Sequence, residues 1–330
     1  CHQHREPDIG ATYLDPDGVT GQIRGMHNEI PGTNPQSRDA STASTFAWQI
    51  RGKAMAVEYD VAGDGPPVLL LPAMSTVSTR TEMYPLARQL QRRFRTVTVD
   101  WPGFGTVPRP RLRWRPEFYA AFLRDFCEHL FNGPVAVAAA GHSCAYVLQL
   151  ARDRPATWSR IVLIAPTWLG PLPVVMGDHR RAYALLRRLV ELPLLGEVIY
   201  RLNTASPVLA RMYREHVYGN LDRVTDQMIA EKGRVARQRN ARFATAAFVT
   251  GALDVVRSGA EFLQLVDQVL VPLLAVCGTQ TPDRSWREMS ALCQRSDVSV
   301  SRVPGALAPH EENPAPVSRA VTDFLLPCLK

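Results

Sequence analysis

The chain reads as an α/β protein: a mostly parallel central sheet with helices on both faces and a helical cap inserted late in the pattern. Three observations carry that reading. Short, wholly apolar runs alternate with helical stretches from about residue 67 to 165, the alternation that builds a parallel sheet covered on both sides. The alternation stops at Pro166 and resumes near Glu261, with an arginine-rich, all-helical stretch between. Finally, 46% hydrophobic and 21% charged residues over 330 positions is ordinary globular usage, enough for a core that needs neither disulfides nor metals.

Residues 1–44 are polar and rich in proline and glycine without sustained periodicity. They read as an N-terminal arm, either an inert leader or a strap for a protein partner. Residues 47–60 form two strands around the Arg51-Gly52-Lys53 turn. Pro67-Val68-Leu69-Leu70-Leu71 has the continuous apolar character of a strand buried on both faces. Helices follow over 83–94, 116–131 and 143–152, interleaved with strands over 96–101, 134–140 and 160–165. After the helical stretch come helix 261–269, strand 272–277, helix 285–294, strand 298–303 and helix 315–326. The expected division is arm 1–44, core 45–167 with 258–330, and cap 168–257.

The charge balance excludes some partners. Lys+Arg 38 against Asp+Glu 31 leaves +7, but the cations are nearly all arginine and scattered through helices. No basic run interleaved with aromatics exists, so no nucleic-acid partner is expected. No apolar run reaches the length of about 18 residues that a span requires. Arg180, Arg181, Arg187 and Arg188 form a solvated face or one resting on acidic headgroups, which leaves peripheral membrane contact open. Cys1, Cys127, Cys144, Cys277, Cys293 and Cys328 lie far apart without a CxxC pair, so neither a metal site nor a disulfide framework is expected. Free thiols fit a reducing compartment, cytoplasm or plastid stroma. An N-terminal Cys1 also leaves open a lipid-bearing residue of a lipoprotein or a cut transit peptide.

Gly141-His142-Ser143-Cys144-Ala145 places Gly-x-Ser-x-small between an apolar strand and a helix. Such a tight turn needs small residues on either side of the serine, and it presents the hydroxyl at the positive end of the next helix.

That segment, together with Asp100-Trp101-Pro102-Gly103-Phe104-Gly105, Leu71-Pro72-Ala73-Met74 and Pro309-His310-Glu311-Glu312-Asn313-Pro314, makes the chain from about Phe46 onward resemble a capped member of the α/β-hydrolase superfamily. The resemblance implies a nucleophile at Ser143 and an oxyanion hole from the backbone N–H groups of Met74 and Cys144. It implies a base on the loop before the last helix, where His310 is the histidine present, although the family's spacing puts Leu307 at that place. It implies an acid after the seventh strand, where Thr281 occupies the expected position and Asp283 is the carboxylate on the loop. His310 is the base or a histidine satisfied near a helix start. Asp283 orients it or is a solvated turn residue. His142 is expected to point away from the hydroxyl, and the Asp100 loop is expected to be structural.

Two functions therefore stand side by side. One is a cofactor-free serine hydrolase that cleaves a hydrophobic carboxylic ester or related acyl substrate through an acyl-enzyme at Ser143. The other is a catalytically inactive scaffold of the same fold within a larger assembly. Cap leucines (Leu185, Leu186, Leu189, Leu192, Leu194, Leu195) are expected to pack on the sheet or to line an apolar tunnel above Ser143.

Overall fold

The computed structural model describes residues 42–106 and 109–326. Strands β1 (Thr42–Ile50) and β2 (Lys53–Ala62) form the expected hairpin. Its two turn residues, Arg51 and Gly52, both have positive φ (47° and 71°), the backbone that matches the twist of paired strands. β1 begins at Thr42, so the last three positions of the expected arm are strand; the rest of the arm lies outside the described residues.

The chain then runs β3 (Pro67–Leu71), α1 (Tyr84–Leu90), β4 (Arg95–Val99), α2 (Pro116–Leu130), β5 (Val135–Ala140), α3 (Ser143–Asp153) and β6 (Trp158–Ile164). Helices α4 (Pro171–Met176), α5 (Arg180–Glu191), α6 (Leu195–Asn203), α7 (Ser206–Met212), α8 (Asp226–Ala236), α9 (Ala241–Val249) and α10 (Gly259–Asp267) follow without an intervening strand. β7 (Leu273–Gly278), α11 (Asp283–Cys293), β8 (Ser299–Val303), α12 (Pro309–Glu312) and α13 (Pro314–Leu325) complete the described chain.

The eight strands form one sheet in the order β1-β2-β4-β3-β5-β6-β7-β8. β2 is antiparallel to both neighbours, and every pair from β4 to β8 is parallel. The period-2 geometry of a strand divides the apolar runs between two cores. Leu69, Leu71, Val97, Val137, Ile161 and Ala275 face α2, α3, α10 and α11. Their neighbours Val68, Leu70, Ala138, Val162 and Leu274 face α1 and α13. The helices between β6 and β7 hold a smaller core of their own around Leu209, Tyr213, Tyr218, Ile229 and Ala236. No helix among the described residues is long and apolar enough to cross a membrane.

The Asp100 loop is structural, held from two sides. Asp100 accepts from the Arg80 backbone N–H (2.6 Å) and from its guanidinium (2.7 Å), and Arg80 also pairs with Asp60 and Glu58. Gly105 (φ +81°) lies where a Cβ would collide with the Asp100 side chain. The loop is thereby fixed so that the Trp101 indole N–H points toward α3.

Candidate active site

The strand-to-helix turn after β5 differs from the sequence expectation by two residues. A strained, left-handed backbone marks the apex of a nucleophile turn, and here it falls on Gly141, at φ +55°. His142 already has helical angles (φ −66°, ψ −22°), and Ser143 is the first residue of α3. The Gly141 carbonyl accepts from Cys144 N and Thr167 N (both 3.2 Å), and its N–H donates to Ile164 O (2.9 Å). A Cβ at Gly141 would sit 3.2 Å from the Ala73 Cβ and 3.7 Å from Thr167 Oγ1. The apex thus faces the loop after β3, but it carries no side chain. Ala139-Ala140-Gly141-His142-Ser143 satisfies the small-x-X-x-small pattern as well as Gly141 to Ala145 does. The overlap was visible in the sequence, and only the turn geometry selects between the two frames.

Ser143 takes the small-residue place after the apex. It is fully buried. Its hydroxyl donates to Pro72 O at 2.5 Å, and Trp101 Nε1 donates both to Ser143 Oγ (2.8 Å) and to Pro72 O (2.9 Å). This three-way knot ties α3, the Asp100 loop and the end of β3 together. Met74 is buried on the loop after β3. Cys144 is ill suited as an oxyanion donor, because its N–H is committed to the Gly141 carbonyl; burial also pushes its thiol well up. With the apex at Gly141, the residue that follows it is His142.

His310 does not reach the Ser143 hydroxyl. It is 1% exposed on α12, its Nε2 lies 3.5 Å from Glu82 Oε1, and neither ring nitrogen has a hydrogen-bond partner among the described residues. Sequence reasoning missed Glu82, whose Oε1 accepts from Ala73 N at 2.6 Å. It sits in a one-turn 3₁₀ helix before α1, inside a stretch that carries no family motif. Burial alone would raise its carboxyl, but contact with His310 and the charge of Lys232 outweigh this and hold it below the ordinary range. Lys232 pairs in turn with Glu311 of α12 (2.7 Å). Leu307 and Ala308, around the family's base position, donate their N–H groups to Val217 O and offer no titratable group.

Asp283 is not brought to His310. It is exposed at the first turn of α11, without a side-chain hydrogen bond or ion pair among the described residues. Thr281 Oγ1 donates back to Gly278 O (2.8 Å) and closes the loop locally. His142 points the other way, toward Leu253 O (3.2 Å), with Asp254 Oδ1 3.7 Å from its Nε2. Burial lowers the imidazole to about 4 and raises the Asp254 carboxyl to about 7. A cleft of about 620 Å³ opens beside Asp254, Arg180, Gln149 and Glu261, and neither Ser143 nor His310 lines it.

The cap leucines neither pack on the sheet nor line a tunnel above Ser143: all six point outward, Leu194 at 85% exposure. On α5 the buried side chains are Tyr183 and Arg187 instead. Arg187 donates to Trp114 O (3.1 Å) and pairs with Glu191 (2.7 Å). The aromatics Trp168, Tyr183, Tyr200, Tyr213 and Tyr218 are buried packing residues.

Comparison with known structures agrees on the fold. An esterase from Thermogutta terrifontis superposes with a TM-score of 0.67 at 18% identity, covering 87% of this chain and 98% of that one. A haloalkane dehalogenase from Agrobacterium tumefaciens gives 0.64 at 15%, covering 86% and 97%. A bromoperoxidase from Bacillus anthracis gives 0.66 at 14%, covering 87% and 99%. Residues 68–320 match the sequence model described as alpha/beta hydrolase family.

Proposed function

The chain belongs to the alpha/beta hydrolase family, and from that premise we propose that it keeps the family's fold as a protein scaffold, without acyl-enzyme chemistry at Ser143. One observation carries the reading: the apex of the nucleophile turn is Gly141, so no side-chain nucleophile stands where the family's reaction would begin. The surroundings support it. The Ser143 hydroxyl is spent on Pro72 O, away from any imidazole. The base position is apolar, and the carboxylate on the acid loop faces solvent. A general base has to lie within about 3 Å, or one water, of the proton it takes.

Hydrolysis of a hydrophobic acyl ester through Ser143, with His310 as base, is the competing reading. It has one observation in its favour: a buried histidine whose Nε2 lies 3.5 Å from the Glu82 carboxylate, which in turn holds the loop that carries Met74. It requires the serine to abandon both of its partners and His310 to leave Glu82.

A fluorophosphonate probe, read by mass spectrometry on wild type, Ser143→Ala and His310→Ala, separates the two. The scaffold reading expects no adduct on folded wild-type protein. An adduct at Ser143 that vanishes in both variants would overturn it and establish the hydrolase.

A further inference from the structure

The outward face of α5 and α6 is inverted for a surface meeting water. Leu185, Leu186, Leu189 and Leu192 are exposed on and just beyond α5, while Arg187 of the same helix is buried. On α6, Leu195, Val198 and Leu202 recur at helical spacing on the exposed side, at 53%, 55% and 66%. The link between the helices carries Leu194, the most exposed of these residues. Its φ of +57° is a left-handed backbone that a leucine adopts only under strain. Val175 and Met176 of α4 and Val208 of α7 are exposed as well. An apolar face of this breadth marks an interaction site.

Its chemistry selects the partner. Leucines and one valine make it up, with no exposed large aromatic. Protein hot spots favour Trp, Tyr and Arg and are poor in Leu and Val. Between residues 178 and 214 there are seven arginines and three carboxylates, and each of the three is already paired: Asp178 with Arg180, Glu191 with Arg187, Glu197 with Arg201 and Arg242. Arg181 and Arg188 flank Leu185 along one exposed stripe of α5 and have no ion pair among the described residues. Long arginine stems can lie along an apolar surface with the guanidinium at headgroup level. A chain of net charge +7 also gains less from pairing this face with its own copy than from meeting an anionic surface.

We propose that the α5–α6 face is a docking surface for anionic lipid bilayers: the leucines of both helices and of their link enter the acyl boundary, and Arg181 and Arg188 engage lipid phosphates. This is the geometry of an interfacial helix lying in the membrane plane. It is independent of whether Ser143 reacts.

The test is flotation of the full chain with vesicles of phosphatidylcholine alone or mixed with phosphatidylglycerol, at low and high salt. Wild type is expected on the mixed vesicles and to dissociate as salt rises. Arg181→Gln and Arg188→Gln should each weaken partitioning by about fivefold, and Leu194→Asp or Val198→Asp by about tenfold or more. These residues are exposed, so circular dichroism and thermal melts should match wild type. Absence of binding, or equal binding to neutral and anionic vesicles, would overturn the proposal. So would a dimer in sedimentation velocity that Leu194→Asp dissolves, which would assign the face to a second copy.

Discussion

Ser143→Ala separates a structural serine from a chemical one. The substitution removes a donor to Pro72 O and an acceptor for Trp101 Nε1, yet neither partner is orphaned, because the indole N–H still reaches Pro72 O at 2.9 Å. The expected cost is therefore the net worth of the serine's own hydrogen bonds, about 1 kcal/mol each. It is offset by roughly 0.5 kcal/mol from alanine's better helix propensity at the start of α3. A net loss of about 1.5 kcal/mol lowers the melting temperature by about 2 °C in a chain this long. A nucleophile behaves differently: its removal costs about 10⁶-fold in kcat, the figure known from subtilisin. The assay pairs calorimetry with turnover of p-nitrophenyl esters of increasing acyl length. The scaffold reading expects wild type and variant to show the same background rate, with a small, measurable drop in stability. Wild-type turnover that Ser143→Ala abolishes while the melt stays unchanged would refute the reasoning.

Three other perturbations follow from the same geometry. Gly141→Ser puts a side chain at the apex, where it meets Ala73 and takes a left-handed backbone; it should cost about 1–2 kcal/mol and leave fluorophosphonate labelling absent, since Leu307 fills the family's base position. Glu82→Ala strips the Ala73 N–H of its acceptor and leaves buried His310 facing a gap; a loss of about 3–5 kcal/mol in chemical denaturation is expected. Glu82→Gln, which keeps an acceptor, should lose much less and flatten the wild-type decline below pH 4.5, because a depressed carboxyl stabilises above its ordinary value and loses that contribution on acidification.

The fourth concerns His142 and Asp254, 3.7 Å apart. Between about pH 4 and 6.5 the unfolded chain binds more protons at His142, so that contribution rises with pH. Between about 3.8 and 7 the folded chain binds more at Asp254, so that one falls. His142→Gln should expose a falling slope and Asp254→Asn a rising one, each up to about 1.4 kcal/mol per pH unit. Slopes of the same sign in both variants would contradict this assignment.

The fold was largely legible because its signal is local. Val68 to Leu71 and Val135 to Ala140 are apolar without interruption, and few structures other than a doubly covered strand accommodate that. α2 and α13 each begin with a proline in the first turn, which marks a helix start in the sequence itself. The cap was legible only as helical. Its leucines have the same spacing whether they face a core or solvent, and the burial of Arg187 is decided by Trp114 O, 73 residues away.

The site was the least legible part, because a catalytic constellation is a set of distances between residues far apart in sequence. Glu82 and His310 meet across more than 200 positions, and no spacing rule connects them. Asp283 was a carboxylate on the right loop, but the loop closes through Thr281 onto Gly278 and turns Asp283 outward.

By itself, the sequence determined the layered α/β architecture, the position of the helical insertion and the tight small-residue turn after β5, since each depends on hydrophobic period and backbone sterics within a few residues. The tertiary structure decided which residue stands at the apex of that turn, where Ser143 spends its proton, and which face of α5 meets the outside. Two overlapping frames satisfy the same local pattern, and only the packing of β5 against the loop after β3 places the left-handed backbone on Gly141.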